Sequence, residues 1–179
     1  NEDQNPKAMV ISCCDSRVHV TSIFGAEEGD FFIHRNIANL VPPFIPNGDY
    51  HGTSAAIEYA TKELNVPHLI ILGHTGCGGI KNGHELHSNN SHNDYVFIKK
   101  WLSILLPAFN NISKNISVKK QIQLLEEESI KISLKNLFDF PNISKSVENK
   151  TLSIHGLIHD IGTGKLRYLN PITEKFEII

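Results

Sequence analysis

Cysteine, methionine and tryptophan are scarce, at three, one and one in 179 residues. Three cysteines cannot all pair. Two of them, Cys13 and Cys14, are sequence neighbours that rarely bridge, so a disulfide framework is a poor account of the chain. A reducing compartment or a metal accounts for them better. An excess of one charge is also missing: 17 Lys and Arg against 19 Asp and Glu leave a formal net charge of -2. That balance provides no electrostatic footprint for nucleic acid or an anionic membrane, and neither is expected as a partner. No apolar run approaches the roughly 20 residues that span a bilayer. Asn1-Glu2-Asp3-Gln4 has neither the charge nor the apolar core of a signal peptide. The expectation is a cytoplasmic chain, or one in an organelle lumen if a leader has been removed. It begins with Asn rather than Met, and its first apolar run starts at Ala8, so a further N-terminal segment is expected upstream.

What is present suits one domain. A chain of this length buries roughly 70% of the surface its unfolded form exposes, and 40% hydrophobic with 20% charged residues is an ordinary globular composition. Short apolar runs bounded by polar residues or glycine read as strands at Ala8 to Ser12, Phe31 to His34, Leu69 to Leu72 and Leu152 to Ile158. Helical spacing of apolar residues appears over Thr53 to Leu64, Asn93 to Leu106 and Val118 to Leu137. Strand and helix alternate, which favours a mostly parallel sheet with helices on both faces. Thr163-Gly164 signals a turn ahead of Leu166 to Leu169 and Phe176 to Ile179, so the expected fold is α/β: four parallel core strands plus an antiparallel C-terminal edge. Ala38 to Gly52 and Lys81 to His92 read as two long loops.

The chemistry gathers at two motifs. Cys13-Cys14-Asp15-Ser16-Arg17 follows the first strand, and His74-Thr75-Gly76-Cys77 follows the third. Open parallel sheets collect ligands at the carboxyl ends of their strands, so these distant segments can meet. Thiolate and imidazole are ligands for zinc, and three protein ligands leave a tetrahedral ion one open place. An isolated H-x-x-C is more often a buried histidine and thiol; together with Cys13, zinc becomes the better account. Only Cys14 or Asp15 could supply a fourth ligand, and Cys14 points away from Cys13 in an extended chain. Asp15 and Arg17 share the side of Cys13. An aspartate kept ionised by Arg17 could accept a hydrogen bond from a metal-bound water, or bind the metal itself when the arginine releases it.

On these motifs the chain resembles β-class carbonic anhydrases over nearly its whole length. The C-x-D-S-R stretch at Cys13 to Arg17 and H-x-x-C-G-G at His74 to Gly79 match the family's two signatures. Gly29 to Asn39 is similar to its second-strand segment, Ala55 to Ala60 to the following helix, and His155 to Asp160 to the last core strand. Gln4-Asn5-Pro6-Lys7 and Leu40-Val41-Pro42-Pro43 follow the plant-type pattern. The bicarbonate-regulated subtype carries tryptophan and glycine where this chain has Val10 and Ser12, so the resemblance implies the open-site subtype. It further implies reversible hydration of carbon dioxide to bicarbonate and a proton, with zinc-bound hydroxide as nucleophile. Cys13, His74 and Cys77 would hold one Zn2+ per subunit, with Asp15 as a fourth ligand in a closed state. Asp15 and Arg17 would form the catalytic dyad. Gln4, Phe32, Ile37, Tyr59 and Gly78 would bind substrate in a narrow pocket completed at a dimer interface, making the protein a homodimer or higher homo-oligomer. A helical N-terminal arm ahead of residue 1 is implied as well.

Departures from the family pattern are Cys14 for the usual serine, Ser12 for alanine and His159 for tyrosine or phenylalanine. Two rivals remain: a related scaffold hydrolysing carbon disulfide or carbonyl sulfide, and a non-catalytic zinc or redox-sensing protein using Cys13 and Cys14. A nucleotide-binding reading of His74 to Gly83 lacks the phosphate-loop Lys-Ser/Thr. His84, His87 and His92 are expected in a solvated loop. His19, His34, His51 and His68 have no partner pattern.

Overall fold

Ala8–Cys13 (β1), Phe31–Asn36 (β2), His68–His74 (β3) and Ser153–His159 (β4) are built around aliphatic and aromatic residues that suit a pleated, buried surface. They lie side by side in the order β2-β1-β3-β4, all parallel. Leu166–Leu169 (β5) and Phe176–Ile178 (β6) continue the sheet antiparallel from β4. The structure is a computed structural model describing residues 3–48, 51–89 and 94–179. Its sheet is the mixed one the sequence leads one to expect. β1 is buried at every position, as a central strand covered on both faces must be.

Strand register assigns side chains to two faces. On one face Met9, Ile11, Leu69, Ile71 and Ile158 form a core with Ile57 of Gly52–Glu58 (α2), Ile130 and Leu137 of Val118–Phe138 (α6), and Ile143 of Pro141–Glu148 (α7). On the other, Val10, Leu72 and Leu157 meet Val18 and the short helix Val20–Phe24 (α1). A third cluster, at the carboxyl ends of the strands, joins Cys13 and Cys77 to Ile80 and Leu86 of Gly78–Asn89 (α3), Leu102 of Phe97–Leu102 (α4) and Ala108 of Leu106–Asn111 (α5).

α6 organises the first face. Ser117 caps it, its Oγ accepting from the Lys120 N–H at 3.4 Å, and Ile130 lies over two sheet glycines. A Cβ at Gly156 would stand 2.8 Å from Ile130 Cγ2 and 3.0 Å from Leu134 Cδ1; at Gly73 it would stand 2.7 Å from Ile130 Cδ1. The helix approaches β3 and β4 too closely for any side chain there.

The sequence expectation fails at Lys81 to His92, which is helical through residue 89 instead of a loop. Lys81 and Ser88 are exposed, while Ile80, His84 and Leu86 turn into the third cluster, and Gly83 lets Leu105 approach, since a Cβ there would meet Leu105 Cδ1 at 2.5 Å. Composition signalled a loop; the packing partners, distant in sequence, favour the helix. His84 and His87 are therefore not solvated loop residues. His84 is buried and donates through Nε2 to Gln121 Oε1 at 2.9 Å, and His87 donates through Nε2 to the Leu102 carbonyl at 3.1 Å. His92 lies outside the described residues. Elsewhere, α2 starts at Gly52 and runs on through a wide π turn, Tyr59–Glu63, while the helix expected over Asn93 to Leu106 divides into α4, a 3₁₀ turn at Ser103–Leu105, and α5. The short helices α1 and α7 went unanticipated.

Gly156→Ala is expected to lower stability by about 1–3 kcal/mol, because the added methyl overpacks against Ile130 and Leu134. Urea denaturation measures it; an unchanged midpoint would show that α6 can move off the sheet at little cost.

Candidate metal centre

β1 pairs with β3 so that Ser12 lies beside Leu72, and both strands end on the same side of the sheet. Cys13 closes β1, His74 closes β3, and Cys77 follows one turn later, just before α3. All three are buried, and their ligand atoms lie within 4.8 Å of one another. The two sulfurs are 3.8 Å apart. Two thiolates on a tetrahedral zinc, each at about 2.3 Å, would be separated by about 3.8 Å, so the spacing fits such an ion.

The donor chemistry fits as well. His74 Nδ1–H donates to the Thr75 carbonyl at 3.1 Å, which leaves the Nε2 lone pair directed elsewhere. That Nε2 is buried and makes no hydrogen bond among the described residues, an arrangement a bound cation would resolve. The sulfur of Cys13 faces the sulfur of Cys77, the imidazole of His74 and the backbone N–H groups of Asp15 and Ala38. These neighbours, Cys77 first, hold Cys13 well below the ordinary thiol range. The same sulfur contact, reinforced by burial, pushes Cys77 up, although the N–H groups of Ile80 and Gly79 point at it. Cys14 is exposed and outside the group.

Asp15 lies beside this group, held by Arg17. Arg17 Nε donates to Asp15 Oδ1 at 2.9 Å and its terminal nitrogen to Oδ2 at 2.7 Å, while the Arg17 backbone N–H reaches Oδ1 at 3.0 Å. The guanidinium also donates to the Gly76 carbonyl at 3.0 Å, tying the first motif to the second. Asp15 Oδ2 stands 3.9 Å from His74 Nε2. The Arg17 hydrogen bonds hold the Asp15 carboxyl well below the usual carboxylate range, so it is ionised throughout the neutral range.

Of the five residues expected to contact substrate, Phe32 and Tyr59 stack on each other with ring centroids 5.8 Å apart. Ile37 is 39% exposed at the rim of the third cluster, where its Cγ2 would be 2.8 Å from a Cβ on Gly79. Gly78 is the first residue of α3. Gln4 is exposed in the segment ahead of β1, with no side-chain hydrogen bond among those described.

Three supports escaped the sequence reading. Glu126 of α6 is buried, and its Oε1 accepts from the Cys77 N–H at 3.1 Å, with the Gly76 N–H also directed at the carboxylate. Burial pushes its carboxyl up, and those N–H groups partly offset it. Arg35 of β2 donates from Nε to the Cys13 carbonyl at 3.0 Å and from its terminal nitrogen to the Asp15 carbonyl at 2.8 Å. Thr75 Oγ1 accepts from the Ile161 N–H at 3.1 Å, and the Thr75 N–H donates to the His159 carbonyl at 2.9 Å. Glu126 lies in a run of three glutamates, Glu126 to Glu128, and only the 3.6-residue phase against Leu125 and Ile130 could have singled it out.

Glu126→Ala removes the acceptor for the Cys77 N–H and is expected to weaken metal retention about 10–100-fold, as loss of an outer-shell partner typically does. Glu126→Gln keeps an accepting oxygen and should lose less. Chelator competition measures both; parent-like retention in the alanine variant would remove Glu126 from the support of this loop.

Comparison with known proteins follows the same segments. The family model described as carbonic anhydrase matches residues 8–166. Beta carbonic anhydrase 3 of Arabidopsis thaliana is 36% identical over 166 residues, 91% of this chain and 64% of that protein, so the chain spans somewhat under two thirds of that relative's length. Among solved structures, the β-carbonic anhydrase CcaA superposes with a TM-score of 0.90 at 29% identity, covering 99% of this chain and 85% of that one. The β-carbonic anhydrase CafA of Aspergillus fumigatus gives a TM-score of 0.76 at 33% identity over 93% of this chain and 76% of that one. A structure from Sordaria macrospora, described as one of two tetrameric β-carbonic anhydrases, gives 0.78 at 31% identity over 94% and 82%. With the family model spanning both motifs and every core strand, this chain belongs to the β-class carbonic anhydrase family.

Proposed function

We propose that this chain catalyses the reversible hydration of carbon dioxide to bicarbonate and a proton, using one zinc ion per subunit held by Cys13, His74 and Cys77. One observation carries the reading: two sulfurs and an unpartnered imidazole nitrogen converge beside an aspartate that an arginine keeps ionised. Thiolate and imidazole donors suit zinc, and when bound there it supplies the Lewis acidity that lets water deprotonate near neutral pH. Family membership and the close superposition on named β-carbonic anhydrases support the same assignment.

The chain's own groups have the following parts. Cys13 and Cys77, as thiolates, cancel the ion's formal charge, so activation of water needs help from neighbours. Asp15, ionised, accepts a hydrogen bond from the attacking O–H and thereby turns the oxygen lone pair toward the substrate carbon. Arg17 holds the carboxylate in that position, and release of the pair would leave Asp15 available as a further ligand to the ion. The Arg17 and Asp15 pair is thus both orienting device and gate. Phe32, Ile37 and Tyr59 offer apolar surface suited to a small uncharged molecule, while the Gln4 amide and the Gly78 N–H offer hydrogen bonds to the developing carboxylate. The non-catalytic alternative requires a fourth protein ligand. Among the described residues Cys14 is exposed and Asp15 is engaged by Arg17.

We further propose a homodimer or higher homo-oligomer, in which a second subunit completes the wall around the half-exposed Ile37 and Tyr59. The tetrameric state named for the Sordaria macrospora relatives supports this. Three free cysteines suit a reducing compartment such as the cytoplasm.

Cys13→Ser is expected to lose zinc and hydration activity together. Asp15→Asn should keep its zinc while kcat/KM falls on the order of 100-fold or more. Metal analysis paired with stopped-flow hydration on the same samples checks both, and a normal rate in Asp15→Asn would remove the dyad from the mechanism.

A further inference from the structure

His68 and His155 face each other on the sheet surface opposite α6, at the end of β3 remote from Cys13, His74 and Cys77. Register pairs His68 with Ser153 and Ile70 with His155, so the two histidines are diagonal neighbours on adjacent parallel strands, with side chains on the face of Ile70 and Leu72. His68 Nδ1 and His155 Nε2 are 3.2 Å apart, with ring centroids 5.3 Å apart and planes inclined at 49°. Six residue steps of extended chain separate His68 from His74, a distance of about 20 Å. Nothing in the proposed hydration chemistry uses this pair.

We infer that His68 and His155 form a second metal site, which takes a divalent late first-row ion such as zinc through two imidazole nitrogens and completes its coordination with water. The nitrogen separation carries the argument. It suits one shared N–H···N hydrogen bond, and it is also close to the edge of a tetrahedral site, since two nitrogens at about 2.05 Å from zinc stand about 3.3 Å apart. Replacing the shared proton with a metal therefore needs a tautomer change in one ring and little backbone movement. Half-burial of His155 fixes one ligand, while exposed His68 leaves the approach open to water.

Electrostatics at the pair favour the same occupant. Burial, and then the charge His68 would carry, disfavour the protonated form of His155, so at neutral pH a lone pair is available. The Tyr168 ring lies 6.3 Å from that of His155. Imidazole pairs suit zinc, copper and nickel, and they give calcium or magnesium no oxygen ligands.

The test uses protein already carrying one tightly held zinc per chain, with loosely held metal removed, and titrates zinc by calorimetry while long-range 1H–15N spectra follow the imidazoles. One further equivalent is expected, with His68 and His155 ring resonances shifting together. His68→Gln and His155→Gln should each weaken that equivalent at least tenfold while the first zinc stays at one per chain. In a Cys13→Ser background the second equivalent should persist, which separates this site from the first. Absence of a further equivalent, its survival in either glutamine variant, or its loss with Cys13→Ser would each overturn the inference.

Discussion

Everything at the candidate metal centre depends on the parallel pairing of β1 with β3. In a parallel pair, adjacent strands end on the same side, so the residue closing one strand meets the residue closing its neighbour without either loop needing to be long. Cys13 and His74 are brought together by that pairing, with a sequence separation of 61 residues that no local interaction could bridge. An antiparallel arrangement would send the two motifs to opposite ends of the sheet. Cys77 needs no such help, because the turn from β3 into α3 returns it to the site.

Pairing brings the segments together but does not set ligand positions to a fraction of an ångström. That precision comes from hydrogen bonds reaching the ligand loops from three sides. Arg35 holds the carbonyls after β1, Glu126 holds the N–H of Cys77 from α6, and Thr75 binds the loop to the end of β4. Ala38 contributes through an unusual backbone: with φ at 64° it sits in the left-handed region that costs a non-glycine residue free energy, and its N–H is directed at the Cys13 sulfur. Glu126 likewise trades desolvation of a carboxylate for a fixed acceptor under the metal loop.

The sheet's two faces are used differently. α6, lying on Gly73 and Gly156, seals one face and brings Glu126 to the site through the same close approach that excludes side chains beneath it. On the opposite face, coverage by α1 is short, and polar groups such as His68 and His155 lie among aliphatic residues. A face built this way can carry binding chemistry that does not interfere with the core.

Much of this was legible in the linear order of residues. Strand positions were readable because buried parallel strands are runs of aliphatic residues, and both motifs were readable because cysteine, histidine and glycine seldom recur at such spacing by accident. α3 was misread because its polar composition outweighs the few positions that pack, and α1 is too short to establish a period. Glu126 and Arg35 were invisible for a different reason: each acts on backbone groups contributed by another segment, and a hydrogen bond to a distant N–H or carbonyl leaves no trace in local sequence. Residue chemistry alone determined the donors present, two thiols, an imidazole and a carboxylate paired with a guanidinium. Tertiary structure alone decided how closely they converge and that Arg17 occupies both oxygens of Asp15, since distances between remote segments are set by strand register and packing rather than by composition.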